Sequence, residues 1–220
     1  MFKKIALTGL LMASALSVQA AGSAPFGVTG TITPAACDVT LTGGVVNLGV
    51  ISTVPIRAYA LGGDTNYVAP VVAVPFSIVC SAATKVEVQF VDNFSGKATR
   101  SGIPGIEFGM VDGSGTTAIG AYEMYFSSLL IDGVAVGQIL NAANGTSTWS
   151  TAGIGGAAAS YTGIANTMGF AKTAGATTPD SLTTLSGTVN IQPFFSKPYI
   201  DSATNSITPH GSGTMSLVYL

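Results

Sequence analysis

Apolar and polar residues alternate with a period of two in several short runs of this chain, the spacing of an extended backbone whose successive side chains point to opposite faces. In KVEVQFVD, Val86, Val88 and Phe90 alternate with Lys85, Glu87 and Gln89, which predicts a half-buried strand turned at Asp92-Asn93 and Gly96. Val72, Val74, Phe76, Ile78 and Cys80 share one face of the strand before it, with Cys80 pointing inward. Pro70 and Pro75 mark that strand as an edge or as broken, because proline donates nothing to a ladder. Ile106, Phe108 and Met110 continue the pattern, Asp112 to Gly115 reads as a turn, and Ile119 to Ile131 is a long strand closed by Asp132-Gly133. Val189, Ile191 and Phe195 predict a strand around Pro193, and Met215, Leu217 and Tyr219 the last one. No stretch keeps a helical period with caps at both ends. The expected fold is all-β, a single sandwich domain over 34–220.

One region breaks the rhythm. No charged residue lies between Asp132 and Lys172, and the span from Asn141 to Ser181 is rich in Gly, Ala, Ser and Thr. It reads as an insertion, a long loop with weak strands around Ser147 to Ser150 and Tyr161 to Phe170.

The first 20 residues carry Lys3 and Lys4, then an apolar run from Ile5 to about Ala15, then the small-residue site Val18-Gln19-Ala20. This is the pattern of an export leader cut after Ala20, and the run is shorter than the roughly 20 residues that cross a bilayer. Loss of Lys3 and Lys4 leaves six basic residues against ten acidic ones, a net charge of −4, which offers nothing to nucleic acid. Only 8% of residues are charged while 47% are hydrophobic, a balance that favours association.

Export also changes the reading of Cys37 and Cys80. An even pair in an oxidising compartment predicts a disulfide, and closing a loop of about 43 residues would stabilise the fold by roughly 4 kcal/mol. A metal site would need further ligands that the chain does not place nearby, so no metal or other cofactor is expected. Catalysis finds equally little. His210 is the sole imidazole, and a Ser-His-Asp arrangement would have to be built around it with Asp201 as orienter, without any nucleophile motif. A solvated loop histidine is the expected reading, and the protein is not expected to be an enzyme.

Between the leader and Cys37 lies AGSAPFGVTGTITPAAC, in which Ala24, Phe26, Val28, Gly30 and Ile32 fall on one side of an extended backbone with no local partner strand. Such a segment is either a core strand or a plug for another molecule. In combination with this tail, three further elements are specific: Val46-Asn47-Leu48-Gly49-Val50, Phe76-Ser77-Ile78-Val79-Cys80, and Gly213 to Leu220 with its penultimate Tyr219. On these residues the chain resembles subunits of chaperone-usher fimbriae, the surface fibres of Gram-negative bacteria. The resemblance covers both ends and runs through Asp92.

What it implies is a mechanism. Subunits of that family are immunoglobulin-like sandwiches lacking their final strand, and a periplasmic chaperone fills the resulting groove until, at an outer-membrane usher, the tail of the next subunit replaces it. Carried over, residues 21–33 would be the donor extension, with Ala24, Phe26, Val28, Gly30 and Ile32 plugging a neighbour's groove. Met215, Leu217 and Tyr219 would lie on the last strand, where the chaperone pairs. Two other classes share features of this sequence. A small outer-membrane barrel also has a leader and short alternating strands. A stand-alone carbohydrate-binding sandwich could use Trp149 and Tyr161 to stack on sugars.

Overall fold

The computed structural model describes residues 35–42, 65–100, 106–151 and 166–220. In chain order the strands are β1 (Cys37–Leu41), β2 (Asn66–Val68), β3 (Val72–Thr84), β4 (Val86–Asp92), β5 (Glu107–Val111), β6 (Ala118–Ile131) and β7 (Val134–Ala135). They continue with β8 (Gln138–Ala143), β9 (Ser150–Thr151), β10 (Asn166–Ala171), β11 (Leu182–Ser196), β12 (His210–Gly211) and β13 (Gly213–Tyr219). One short helix, α1 (Lys197–Ser202), follows β11 and has a proline in its first turn, where the missing N–H costs no hydrogen bond.

All described pairings are antiparallel. The first sheet runs β1-β3-β11-β6-β5-β12, with β2 also on β11 and β7 on β6, and the second runs β13-β4-β10-β8-β9. A single apolar core draws on both, so the architecture is all-β and of the sandwich kind. Phe126 of β6 joins the layers: its ring lies 5.3 Å from Phe76 of β3 in its own sheet, and 5.9 Å and 5.5 Å from Phe90 of β4 and Phe170 of β10 in the other. Contacts of this tilted and edge-on kind add about 0.5–1.5 kcal/mol each beyond the area buried.

The structure revises two readings of the sequence and sharpens a third. β3 is not an edge, since it lies between β1 and β11. Pro75 is tolerated there because β1 ends its pairing at Leu41↔Phe76, and the Pro75 carbonyl accepts from Thr42 N–H at 2.9 Å. A residue's N–H and C=O point the same way in a strand, so the missing donor faces the side where β1 runs out. β4 is not half-exposed throughout, because Glu87, on the face opposite Val86 and Val88, is itself buried. The outer face of the second sheet is covered there, and its neighbours Leu140, Ala142 and Thr167 are buried as well. Finally, the weak strand expected near the end of the uncharged span, around Tyr161 to Phe170, is among the described residues a central one, β10, paired on one side with β4 and on the other with β8. Its Met168 and Phe170 face the core while Trp149 and Pro179 crowd Gly169 on the outer side. Residues 152–165 of that span, Tyr161 among them, lie outside the described residues, as do 43–64 with the Val46 to Ile51 run.

The predicted turns form as expected. Asp132 and Gly133 take φ of 50° and 80°, the two positive values that a type I′ hairpin between β6 and β7 requires. Gly115, with φ 77°, closes the Asp112 turn by donating to the Asp112 carbonyl at 2.9 Å.

Candidate functional site

The cysteines form the expected disulfide, Cys37 to Cys80. They are cross-strand partners of β1 and β3, with Cα atoms 3.9 Å apart, and Ser81 N–H donates to the Ala36 carbonyl beside them. That bond places the pair at a narrow, non-hydrogen-bonded position of the ladder, where facing side chains are closest. Alternation along VPFSIVC turns Cys80 inward, and antiparallel pairing brings Cys37 to it.

β1 and β13 are edges of different sheets. β13 pairs with β4 from Gly213↔Asp92 to Tyr219↔Val86, and its other side carries no paired strand among the described residues. β1 pairs only with β3 among them. The two edges come together at one end, where Cys37 N–H donates to the Tyr219 hydroxyl at 2.8 Å. Away from that clamp Val39 and Leu41 on β1, and Met215 and Leu217 on β13, pack against the core yet remain only partly buried.

A mainly apolar cavity of about 570 Å³ lies beside Leu41 and Met215. Leu41 of β1 and Met215 of β13 stand at its sides, and Val74, Val189 and Ile191 of β3 and β11 line it from the first sheet. Phe90 of β4 lines it from the second sheet, and Met110 and Met124 come from β5 and β6. Its rim passes Phe94, Pro209, His210 and Ser212. Tyr122 also reaches it, and its phenol is held well above the ordinary range, first by burial and then by the nearby Asp92 charge. Gly211 is needed here for close approach, because a Cβ would lie 2.7 Å from the Tyr122 ring. What the site offers is apolar side-chain contact beside a backbone edge, on β13, that carries no paired strand among the described residues.

Met215 lines this cavity, Leu217 packs partly buried against the core, and Tyr219, 49% exposed, forms the clamp. The tail positions Ala24, Phe26, Val28, Gly30 and Ile32 lie outside the described residues. His210 sits exposed on β12, paired with Val111, whereas Asp201 accepts from the Tyr67 hydroxyl at 3.0 Å. Trp149 packs on the outer face of β10 at Gly169. Sequence reasoning placed Met110 on a strand, but nothing in it assigned Met110, Met124 or Ile191 to a shared opening. Only the pairing of β5, β6 and β11 brings them together.

Compared with known proteins, the chain matches no family model, no curated protein and no solved structure.

Proposed function

We propose that this chain is a structural subunit of a chaperone-usher surface fimbria, an immunoglobulin-like sandwich completed by a strand donated from a sibling. The observation that carries the reading is the apolar cavity of about 570 Å³ between two sheet edges, beside the unpaired side of β13. The tail supplies the complementary object, because Ala24, Phe26, Val28, Gly30 and Ile32 present one side of an extended segment. In this reading a periplasmic chaperone pairs with β13 during export, an outer-membrane usher exchanges it, and the fibre at the cell surface supports adhesion. The apolar faces of both sheets point at each other, which supports this reading over a membrane barrel, whose apolar residues face outward to lipid.

The energetics are of the right size. Burying a Phe or Val side chain contributes about 1.5–3 kcal/mol. Each added ladder bond contributes about 1 kcal/mol. A joint made of several of each opens very slowly. Phe26→Asp places a charge against a mainly apolar groove whose lining holds no cationic Lys or Arg among the described residues, so the variant should be exported and chaperone-bound but fail to polymerise. Polymer ladders of normal length from that variant, on unboiled gels of surface extracts, would refute strand donation.

A further inference from the structure

Beyond residue 20 the sequence has four methionines, Met110, Met124, Met168 and Met215. Met168 is fully buried in the core, and the other three all line the one cavity, from β5, β6 and β13. Three thioethers from three strands, drawn from both sheets, make an unusual lining for a sandwich interior. Part of the remaining apolar wall is of the opposite kind: Val74, Val189 and Ile191 are β-branched and stiff at χ1, beside Leu41 and the ring of Phe90. Methionine has three rotatable bonds and a polarizable sulfur, and it reshapes to fill gaps that branched residues leave. Binding surfaces that accept several partners use this property.

Resting on the strand-donation reading, we infer that Met110, Met124 and Met215 make the groove tolerant of side-chain size. It takes the tail of a second copy of this chain, and equally an extended apolar tail whose residue at the Phe26 position differs in volume. Selection then falls on features the methionines do not blur. One is a backbone able to pair with the β13 edge from Gly213 to Tyr219. Another is an apolar residue at every second position. The third is the absence of charge on that side, since among the described residues the cavity wall holds only His210, at the rim, and the phenol of Tyr122 as titratable groups. The partner class is therefore a family of alternating apolar tails rather than one sequence.

The test uses the exported full chain, kept from joining itself by Phe26→Asp, with labelled peptides of residues 21–33 bearing Phe, Leu, Met, Trp or Asp at position 26. The inference expects the four apolar peptides to bind with dissociation constants within tenfold of one another, and the Asp peptide to bind at least a hundredfold more weakly. In the same chain carrying Met124→Ile and Met215→Ile, the spread among the four should exceed tenfold. Met215→Ile alone, at a partly buried edge position, should widen it in the same direction and guards against a double variant that does not fold. A spread above tenfold in the parent chain overturns the inference while leaving strand donation intact, and so does an unchanged spread in the isoleucine variants. Equal binding of the Asp peptide also overturns it, because the side chain then does not enter the cavity. If the peptide with Phe26 does not bind at all, strand donation itself fails and this inference with it.

Discussion

Single side chains carry two features of the fold that can be removed cleanly. The Tyr219 hydroxyl accepts from Cys37 N–H and so joins the edges of the two sheets. Tyr219→Phe deletes that acceptor but keeps the ring, and it should cost about 1 kcal/mol in urea-unfolding experiments on the oxidised protein. Asp132 concentrates more bonds. Its carboxylate accepts from the Thr183 hydroxyl at 2.6 Å, from the N–H groups of Thr184 and Thr183 at 2.8 Å and 2.9 Å, and from Lys172 at 3.0 Å. The Thr183 hydroxyl bond first, then the Thr184 amide and Lys172, hold its pKa well below the usual carboxylate range. A depressed folded-state pKa gives stability that is fully present above the unfolded value and is lost as pH falls through the folded one. Asp132→Asn keeps a residue tolerant of positive φ and removes the charge. It should lose roughly 1–2 kcal/mol at neutral pH, a figure kept low because the side chain is 29% exposed, and the deficit should shrink progressively as pH falls below about 4, the ordinary carboxylate value. Stability measured from pH 7 to pH 2 in both proteins checks this.

Elements that alternate cleanly in the sequence were legible there, and those that do not were faint, as β10 was, or hidden, for identifiable reasons. Val74, Phe76, Ile78 and Cys80 announce β3, and Val86, Val88 and Phe90 announce β4, because one face of each meets the core. β10 is written NTMGFA, whose outer positions are Thr167, Gly169 and Ala171, all buried. A strand covered on both faces needs no charge, so its composition resembles that of a loop. Short β2 and the single turn of α1 carry too few residues for any period to register. The covering of β10 gives its own prediction. A Cβ on Gly169 would lie 2.3 Å from Pro179 Cγ and 3.0 Å from Trp149 Cζ3, so Gly169→Ala must push the Pro179 segment outward. The expected loss is about 1–3 kcal/mol, read by chemical denaturation, with a red-shifted Trp149 fluorescence as that ring gains water.

At the scale of the molecule, the opening lay beyond what alternation can report. Period two assigns residues to a face, but whether two faces close against each other depends on which edges meet. The sequence placed Met215, Leu217 and Tyr219 on a last strand; the cavity beside Met215 lies where, among the described residues, β13 ends its sheet and β1 the other. Backbone exchange reports on that arrangement directly. β13 has one side bonded to β4 and one side without a partner strand among the described residues, so its amides should alternate between slow and fast hydrogen exchange. Saturation with the residue 21–33 peptide should slow the fast set in β13 and leave β8 and β10 unchanged, as measured by NMR.

The disulfide stands at the first residue of β1, where the polypeptide upstream of the body joins it. Tension applied through that upstream segment passes at Cys37 into Cys80, and so into the middle of β3, a strand gripped on both sides by β1 and β11. Beyond the single backbone bond at Ala36, β1 cannot be unzipped residue by residue from its pulled end, because the covalent link takes the load before the ladder bonds downstream of it do. Mechanical strength is thus set at the point of attachment, by two sulfur atoms rather than by the five-residue strand that begins there.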